Sequence, residues 1–293
     1  MNSMSVKEWA EKHNVSERTA RNYCAQGKIH GAYLVGKTWN IPKDAEFIYK
    51  NKPTNTPPLL SRLREEKESR YKGGIYHYVQ VALTYNSNHI EGSKLTEEQT
   101  RNIFETNTIG IFDDSVNVDD IIETNNHFRA IDYIIDNASQ KLSENLIKEL
   151  HRIIKSGTSD ERKSWFQVGD YKTLPNEVGG KETTTPEFVK TEMSQLIKLY
   201  NSKKDIIFED IIDFHYQFET IHPFQDGNGR VGRLIMFKEC LRLGIIPFVI
   251  TDRLKMFYYR GLSEWPHIKG YLLDTCLAAQ DEFKARLERL RIM

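Results

Sequence analysis

The chain has 293 residues, room for one large domain or two, and a composition of 39% hydrophobic and 28% charged residues excludes the disordered and collagen-like classes. The longest uncharged apolar stretch, Gly244 to Ile250, falls far short of the roughly 20 residues of a membrane span. The N-terminal Met-Asn-Ser-Met-Ser-Val-Lys-Glu-Trp lacks the apolar core of a secretory signal, so a cytoplasmic protein with no membrane partner is expected. Cys24, Cys240 and Cys276 are too few and too scattered for a disulfide framework or a zinc site, and read as small buried residues. The 41 Lys/Arg and 41 Asp/Glu cancel overall, yet residues 1–50 hold eight basic against five acidic side chains, a local charge of +3 that the remainder offsets with −3.

Val6 to His13 reads as a short helix with Val6, Trp9 and Ala10 on one face. Asn14-Val15 turns the chain, Ser16 caps a second helix running to Ala25, and Gln26-Gly27 stops it. Two β-leaning runs follow, Ile29 to Val35 and Lys37 to Ile41, joined at Gly36. Through Val6-Lys7-Glu8-Trp9-Ala10, Val15-Ser16-Glu17-Arg18-Thr19-Ala20-Arg21 and Gly36-Lys37-Thr38-Trp39-Asn40-Ile41-Pro42, residues 1–45 resemble the winged helix-turn-helix of the MerR and excisionase type. That resemblance implies DNA as a partner, with Ser16, Arg18, Thr19, Arg21 and Lys37 as contact candidates. A helical cap that binds protein through the same basic face is the alternative. A charge of +3 is weak for a lone DNA-binding module, a weakness that a homodimer would repair.

Residues 46–60, with Pro53, Pro57 and Pro58, read as a linker. Residues 61–293 then form a second, mainly α domain, with helices expected at Ser61–Tyr71, Ile75–Ile90, Thr96–Glu105, Val118–Ala138, Ser143–Lys155, Pro186–Asn201, Phe208–Ile221, Gly229–Leu243, Asp252–Glu264 and His267 onward. Residues 168–185, with Gly169, Gly179 and Gly180, read as a surface β-hairpin.

Chemistry concentrates in His222-Pro223-Phe224-Gln225-Asp226-Gly227-Asn228-Gly229-Arg230-Val231-Gly232-Arg233. Gly227 and Gly229 allow successive amides to converge at the start of the following helix, a cradle for an anion. Arg230 and Arg233, three residues apart, offer forked donors to phosphate. Asp226 suits a Mg²⁺ ion on phosphate oxygens, and His222 can take a proton from an attacking hydroxyl. Taken singly, a histidine before a helix is more often a cap and Asp-Gly-Asn-Gly more often a turn, while Phe224 belongs to the core. Together they point to metal-assisted transfer from a nucleoside triphosphate.

These twelve residues match the Fic motif, His-Pro-Phe-x-Asp-Gly-Asn-Gly-Arg-x-x-Arg, at every fixed position, and residues 60–280 resemble that family's helical bundle with its β-hairpin flap. The resemblance implies transfer of AMP from ATP, with Mg²⁺, to a hydroxyl of a target protein or of the enzyme itself. His222 would be the base, Asp226 the metal ligand, Gly227, Asn228 and Gly229 the cradle, and Arg230 and Arg233 the clamps on the distal phosphates. Leu174, Pro175, Asn176, Glu177 and Val178 would hold the target by strand addition. Tyr258 and Tyr259 are either adenine neighbours or core aromatics.

Ser87-Asn88-His89-Ile90-Glu91-Gly92, closing the inhibitory helix expected over residues 75–92, resembles the family's inhibitory Ser/Thr-x-x-x-Glu-Gly/Asn. Glu91 would then pair with Arg233 and restrain the enzyme at rest, or direct water in deAMPylation. Alternatives are the same motif used with another donor, such as UMP or phosphocholine, and a DNA-binding regulator whose Fic body only senses nucleotide.

Overall fold

The protein, in a computed structural model, is described over residues 3–13, 15–25, 27–45, 58–110 and 115–292. It opens one element earlier than the apolar pattern suggests: β1 (Ser3–Ser5) runs straight into α1 (Val6–Lys12). Ser5 makes this junction, its Oγ accepting from the Glu8 amide while the Glu8 carboxylate accepts from the Ser5 amide at 2.7 Å. α2 (Glu17–Ala25) starts on Ser16, whose Oγ accepts from the Thr19 amide at 3.0 Å. β2 (Tyr33–Val35) and β3 (Thr38–Pro42) turn at Gly36, and β3 pairs antiparallel with both β1 and β2. Only the end of the expected Ile29–Val35 run is strand, because Gly31, at φ 73°, bends the chain and Ile29 turns into the core. That core joins Val6, Trp9, Ala10, Ala20, Tyr23, Cys24, Ile29 and Ile41. The turn residues Asn14 and Gln26 and the linker over 46–57 lie outside the described residues.

The rest is helical. α3 (Pro58–Ser69) starts inside the stretch assigned to the linker, since proline is tolerated in a first helical turn. α4 (Ile75–Ile90), α5 (Glu97–Thr106), α6 (Val118–Asp136) and α7 (Glu144–Lys155) follow, then β4 (Glu177–Val178), β5 (Lys181–Glu182), α8 (Pro186–Ser202) and α9 (Phe208–Ile221). α10 (Asn228–Leu243), α11 (Lys255–Glu264) and α12 (Gly270–Arg289) complete the chain. The helix expected from Asp252 divides into a 3₁₀ turn, Asp252–Leu254, and α11. Thr96 and Ser143 cap α5 and α7 through their hydroxyls, as the sequence leads one to expect.

α10 is the central element. Phe218, Phe224, Val231 and Leu234 belong to a core shared with Ile131, Ile147, Leu150 and Met193. Met236 and Cys240 join a second core with Ile212, Tyr258, Leu272 and Cys276. A helix enclosed on both sides is rigidly held, so whatever its first turn presents is fixed in place. Among the described residues, no helix is long and apolar enough to cross a membrane.

The hairpin expected over 168–185 contracts to Glu177–Val178 against Lys181–Glu182, with Gly179 and Gly180 both left-handed as a tight two-residue turn requires. Residues 172–176 are not strand because the motif loop takes their polar groups. The Lys172 amide donates to the Pro223 carbonyl at 2.9 Å, Asn176 Nδ2 to the Phe224 carbonyl at 3.0 Å, and the Leu174 amide to Gln225 Oε1 at 3.3 Å.

Candidate active site

α9 ends at His222, which adopts φ 52° and ψ 62°, a left-handed conformation uncommon for a residue with a side chain. The loop that follows is stapled by Asn228, whose Oδ1 accepts from the Phe224 amide and whose Nδ2 donates to the Phe224 carbonyl, both at 2.8 Å. The side chain of Asn228 is thereby committed to the turn, which leaves only its backbone amide for an anion. Phe224 anchors the loop beneath, stacked on His151 with ring centroids 4.0 Å apart. Gly227 caps α10 at φ 81°, and the first amides of the helix have no intrahelical acceptor.

His222 Nδ1 donates to the Glu219 carbonyl at 3.4 Å, which leaves Nε2 as the basic nitrogen. Burial, with Lys172 adding to it, lowers the imidazole pKa to about 4, so His222 is neutral near pH 7 and ready to accept a proton. Below it lies Glu219, whose pKa burial and the nearby Glu91 charge raise to about 8, and whose Oε1 has no hydrogen-bond partner among the described residues. Neither Glu219 nor its neighbour His215, bonded through Nε2 to the Tyr258 hydroxyl at 2.6 Å, is singled out by any motif reading.

Asp226 lies in a cluster of charge. Lys155 Nζ stands 2.7 Å from Asp226 Oδ2, 2.6 Å from Glu123 Oε1 and 2.6 Å from Asp160 Oδ2. Arg230 bonds Asp226 at 3.1 Å and also pairs with Glu123. Against partial desolvation, Arg230 and Lys155 hold the Asp226 carboxyl well below its usual range. Glu123, Asp160 and Asp226 together could hold a cation, and Asp226, half exposed, is the one able to meet a solvent-borne ligand. Glu123, Lys155 and Asp160 were invisible in the sequence because they come from separate stretches of the chain. The two arginines share a helix, yet each is engaged differently. Arg233 is buried, with Nη2 bonding Glu91 Oε1 at 2.7 Å and the Ser87 carbonyl at 2.9 Å, and Nε bonding Ser87 Oγ at 3.0 Å. Burial works against the charge on Arg233, but Glu91 beside it raises its pKa. Gly92, at φ 103°, turns the chain directly after Glu91.

Tyr258 is fully buried against His215 and belongs to the core, whereas Tyr259 is exposed and its hydroxyl reaches the Ile90 carbonyl at 3.4 Å. In the flap, Leu174 and Val178 are exposed, as is Trp165 beside them. Of the N-terminal candidates, Ser16 and Thr19 bond Asp274 and Arg18 pairs with Asp281, both on α12, while Arg21 pairs with Glu17 and Lys37 is exposed.

Residues 141–240 match the Fic/DOC family, and the chain is a Fic-domain protein. It is homologous to the protein adenylyltransferases named Fic: that of Drosophila persimilis is 30% identical over 208 residues, 69% of this chain and 38% of the relative, and that of Drosophila virilis is 30% identical with 39% of its length covered. The chain thus spans well under half of those relatives. A Fic-domain signaling protein from Bacteroides thetaiotaomicron superposes with a TM-score of 0.59 at 27% identity, covering 80% of this chain and 92% of that one. Fic-1 from C. elegans (aa134 - 508) has the same fold, with a TM-score of 0.62 at 20% identity and coverage of 80% and 72%.

Proposed function

We propose that this chain is a self-restrained protein adenylyltransferase that moves AMP from ATP to a hydroxyl side chain of a protein. The observation that carries the reading is the convergence, at the first turn of α10, of a neutral His222, backbone amides without intrahelical acceptors and Arg233 held by Glu91. The attacking hydroxyl oxygen forms a bond to the α-phosphorus, the bond from that phosphorus to the bridging β-oxygen breaks, and pyrophosphate leaves. The hydroxyl proton passes to His222 Nε2. Arg230, Arg233 and the α10 amides stabilise the charge that collects on the departing phosphates. Asp226 fits a Mg²⁺ ion, being ionised and half exposed, and such an ion when bound neutralises phosphate charge. Exposed Leu174, Val178 and Trp165 beside the motif loop suit the apolar side chains of a peptide laid along the flap. Glu91 withholds Arg233 from the distal phosphate, which is the basis of the restraint.

The test follows label from α-labelled ATP with Mg²⁺ onto the purified protein, comparing wild type, Glu91→Gly, and Glu91→Gly with His222→Ala. Strong labelling in Glu91→Gly alone is the expected result. Equal labelling of wild type and Glu91→Gly overturns the restraint. No labelling from ATP, but labelling from a UMP or phosphocholine donor, overturns the choice of nucleotide.

We infer further that residues 1–45 are a DNA-binding module. The reading is supported by a capped α2 whose first turn carries Ser16, Arg18 and Thr19, followed by the β2–β3 wing with Lys37 exposed at its tip. Retention of duplex DNA by the full chain, weakened by Arg21→Ala and by added salt, is the expected behaviour.

A further inference from the structure

We propose that the Asp274–Asp281 face of α12 is a docking surface for α2, and that it holds the same groups a DNA duplex would need, so that docking and duplex binding exclude each other. This rests on the reading of residues 1–45 as a DNA-binding module. Recognition helices meet base edges and phosphates through the residues of their first turn. Here that turn is occupied. Ser16 Oγ donates to Asp274 Oδ1 at 2.5 Å, Thr19 Oγ1 donates to the same oxygen at 2.8 Å, and Arg18 Nη2 bonds Asp281 Oδ2 at 3.1 Å. Asp274 and Asp281 lie two helical turns apart, hence on one face of α12. Their carboxylates present anionic oxygens to two hydroxyls and a guanidinium, as a phosphate backbone does.

The fit extends beyond the polar contacts. α12 begins with Gly270, where a Cβ would stand 3.2 Å from the Ser16 amide nitrogen and 3.3 Å from Ser16 Cβ, so the bare backbone allows the close approach. Val15 packs against the core of the N-terminal unit and also against the α11–α12 core, spanning the junction. Thr19 is wholly buried, which keeps any duplex from reaching it without separation of the two helices. The charge of the two regions, +3 over residues 1–50 and −3 over the rest, favours the same approach. The latch is nevertheless breakable. The Arg18–Asp281 pair is exposed on both sides and contributes little, so a ligand offering many phosphates can compete for α2. When docked chains predominate, the apparent affinity for DNA falls to its intrinsic value multiplied by the undocked fraction.

The experiment uses the full chain, wild type against Asp274→Ala with Asp281→Ala, and a fluorescent random-sequence duplex titrated at two salt concentrations. Hydrogen exchange over residues 15–25 and 270–282 reports docking independently of DNA. The expected result is faster exchange in both segments of the double variant, together with duplex affinity raised about tenfold; adding Arg21→Ala to that variant abolishes the gain. Asp281→Ala alone, at an exposed position, gives a smaller shift of the same sign and serves if the double variant does not fold. Faster exchange with unchanged duplex affinity overturns the exclusion, and unchanged exchange overturns the docking. Faster exchange with no duplex bound by either protein shows that the DNA-binding reading itself has failed, and the proposal with it.

Discussion

Glu91 occupies the space that a side chain on Gly229 would fill. A Cβ built on Gly229 would lie 2.3 Å from Glu91 Oε1 and 2.9 Å from an Arg233 guanidinium nitrogen. The glycine of the proposed phosphate cradle is therefore also the glycine that admits the Glu91 carboxylate beside Arg233, and both proposed uses depend on the missing carbon. Gly229→Ala and Glu91→Gly each disrupt the Glu91–Arg233 pair, but with opposite outcomes. Glu91→Gly vacates the cradle, whereas Gly229→Ala places a methyl group in it. Self-labelling from α-labelled ATP is expected to rise at least tenfold in Glu91→Gly and to stay at or below the wild-type level in Gly229→Ala. A labelled Gly229→Ala protein would show that the carboxylate alone controls access.

Removing Glu91 also takes the paired carboxylate from a buried guanidinium that keeps its bonds to Ser87. Breaking a buried pair by removing one partner costs about 3–5 kcal/mol, and the partial exposure of Glu91 puts this pair toward the low end. In the absence of nucleotide, Glu91→Gly should melt a few degrees below wild type, and Glu91→Gln, which keeps a neutral acceptor, should fall between them. Saturating ATP with Mg²⁺ supplies a new anionic partner and should raise the melting temperature of Glu91→Gly more than that of wild type. Thermal melts with and without nucleotide check both parts.

The helical order of this molecule was readable because the amphipathic period runs through the helices and start signals mark several of them: Thr96 and Ser143 cap α5 and α7, and Pro186 opens α8. The linear motif likewise located His222, Asp226 and the two arginines, since one turn carries them all. What the sequence withheld is what tertiary packing supplies. Lys155, Glu123 and Asp160 meet Asp226 only because α6 and α7 lie beside the motif loop. Strand β1 is three residues paired across the fold to Met4's partner Ile41, a contact with no local signal. Ser16 and Thr19 read as free donors on a basic helix, and nothing in their neighbourhood announced Asp274, 255 or more residues away.

Lys155 gives the third prediction. Its ammonium is buried between three carboxylates, and replacing it with methionine leaves Glu123, Asp160 and Asp226 facing one another with Arg230 as the remaining counter-charge. Breaking a buried pair of this kind costs about 3 kcal/mol or more. The Lys155→Met protein should be markedly less stable than wild type in a chelator, and millimolar Mg²⁺ or Mn²⁺ should recover more stability in it than in wild type. Equal metal-induced shifts in the two proteins would count against the carboxylates acting as a cation site.

Glu219 and His222 together set the pH behaviour. The folded pKa of Glu219 is about 8, above its unfolded value, so the folded state binds the extra proton and stability falls as pH rises from about 4.5 to 8. Glu219→Gln keeps the shape and the proton-bearing character without that loss. It should therefore gain on wild type by on the order of 3–4 kcal/mol between pH 5 and 8, and the gain should shrink in the Glu91→Gly background, where the like charge that helps to raise Glu219 is gone. His222 shifts the other way: its folded pKa of about 4 lies below the free imidazole value, so it stays neutral, and able to act as a base, well into acid. Label transfer by Glu91→Gly should accordingly show no break near pH 6.5 and should decline only toward pH 4 to 5. A single-turnover series across that range, read beside melts of the Glu219→Gln protein, separates the titration of the base from that of the carboxyl group beneath it.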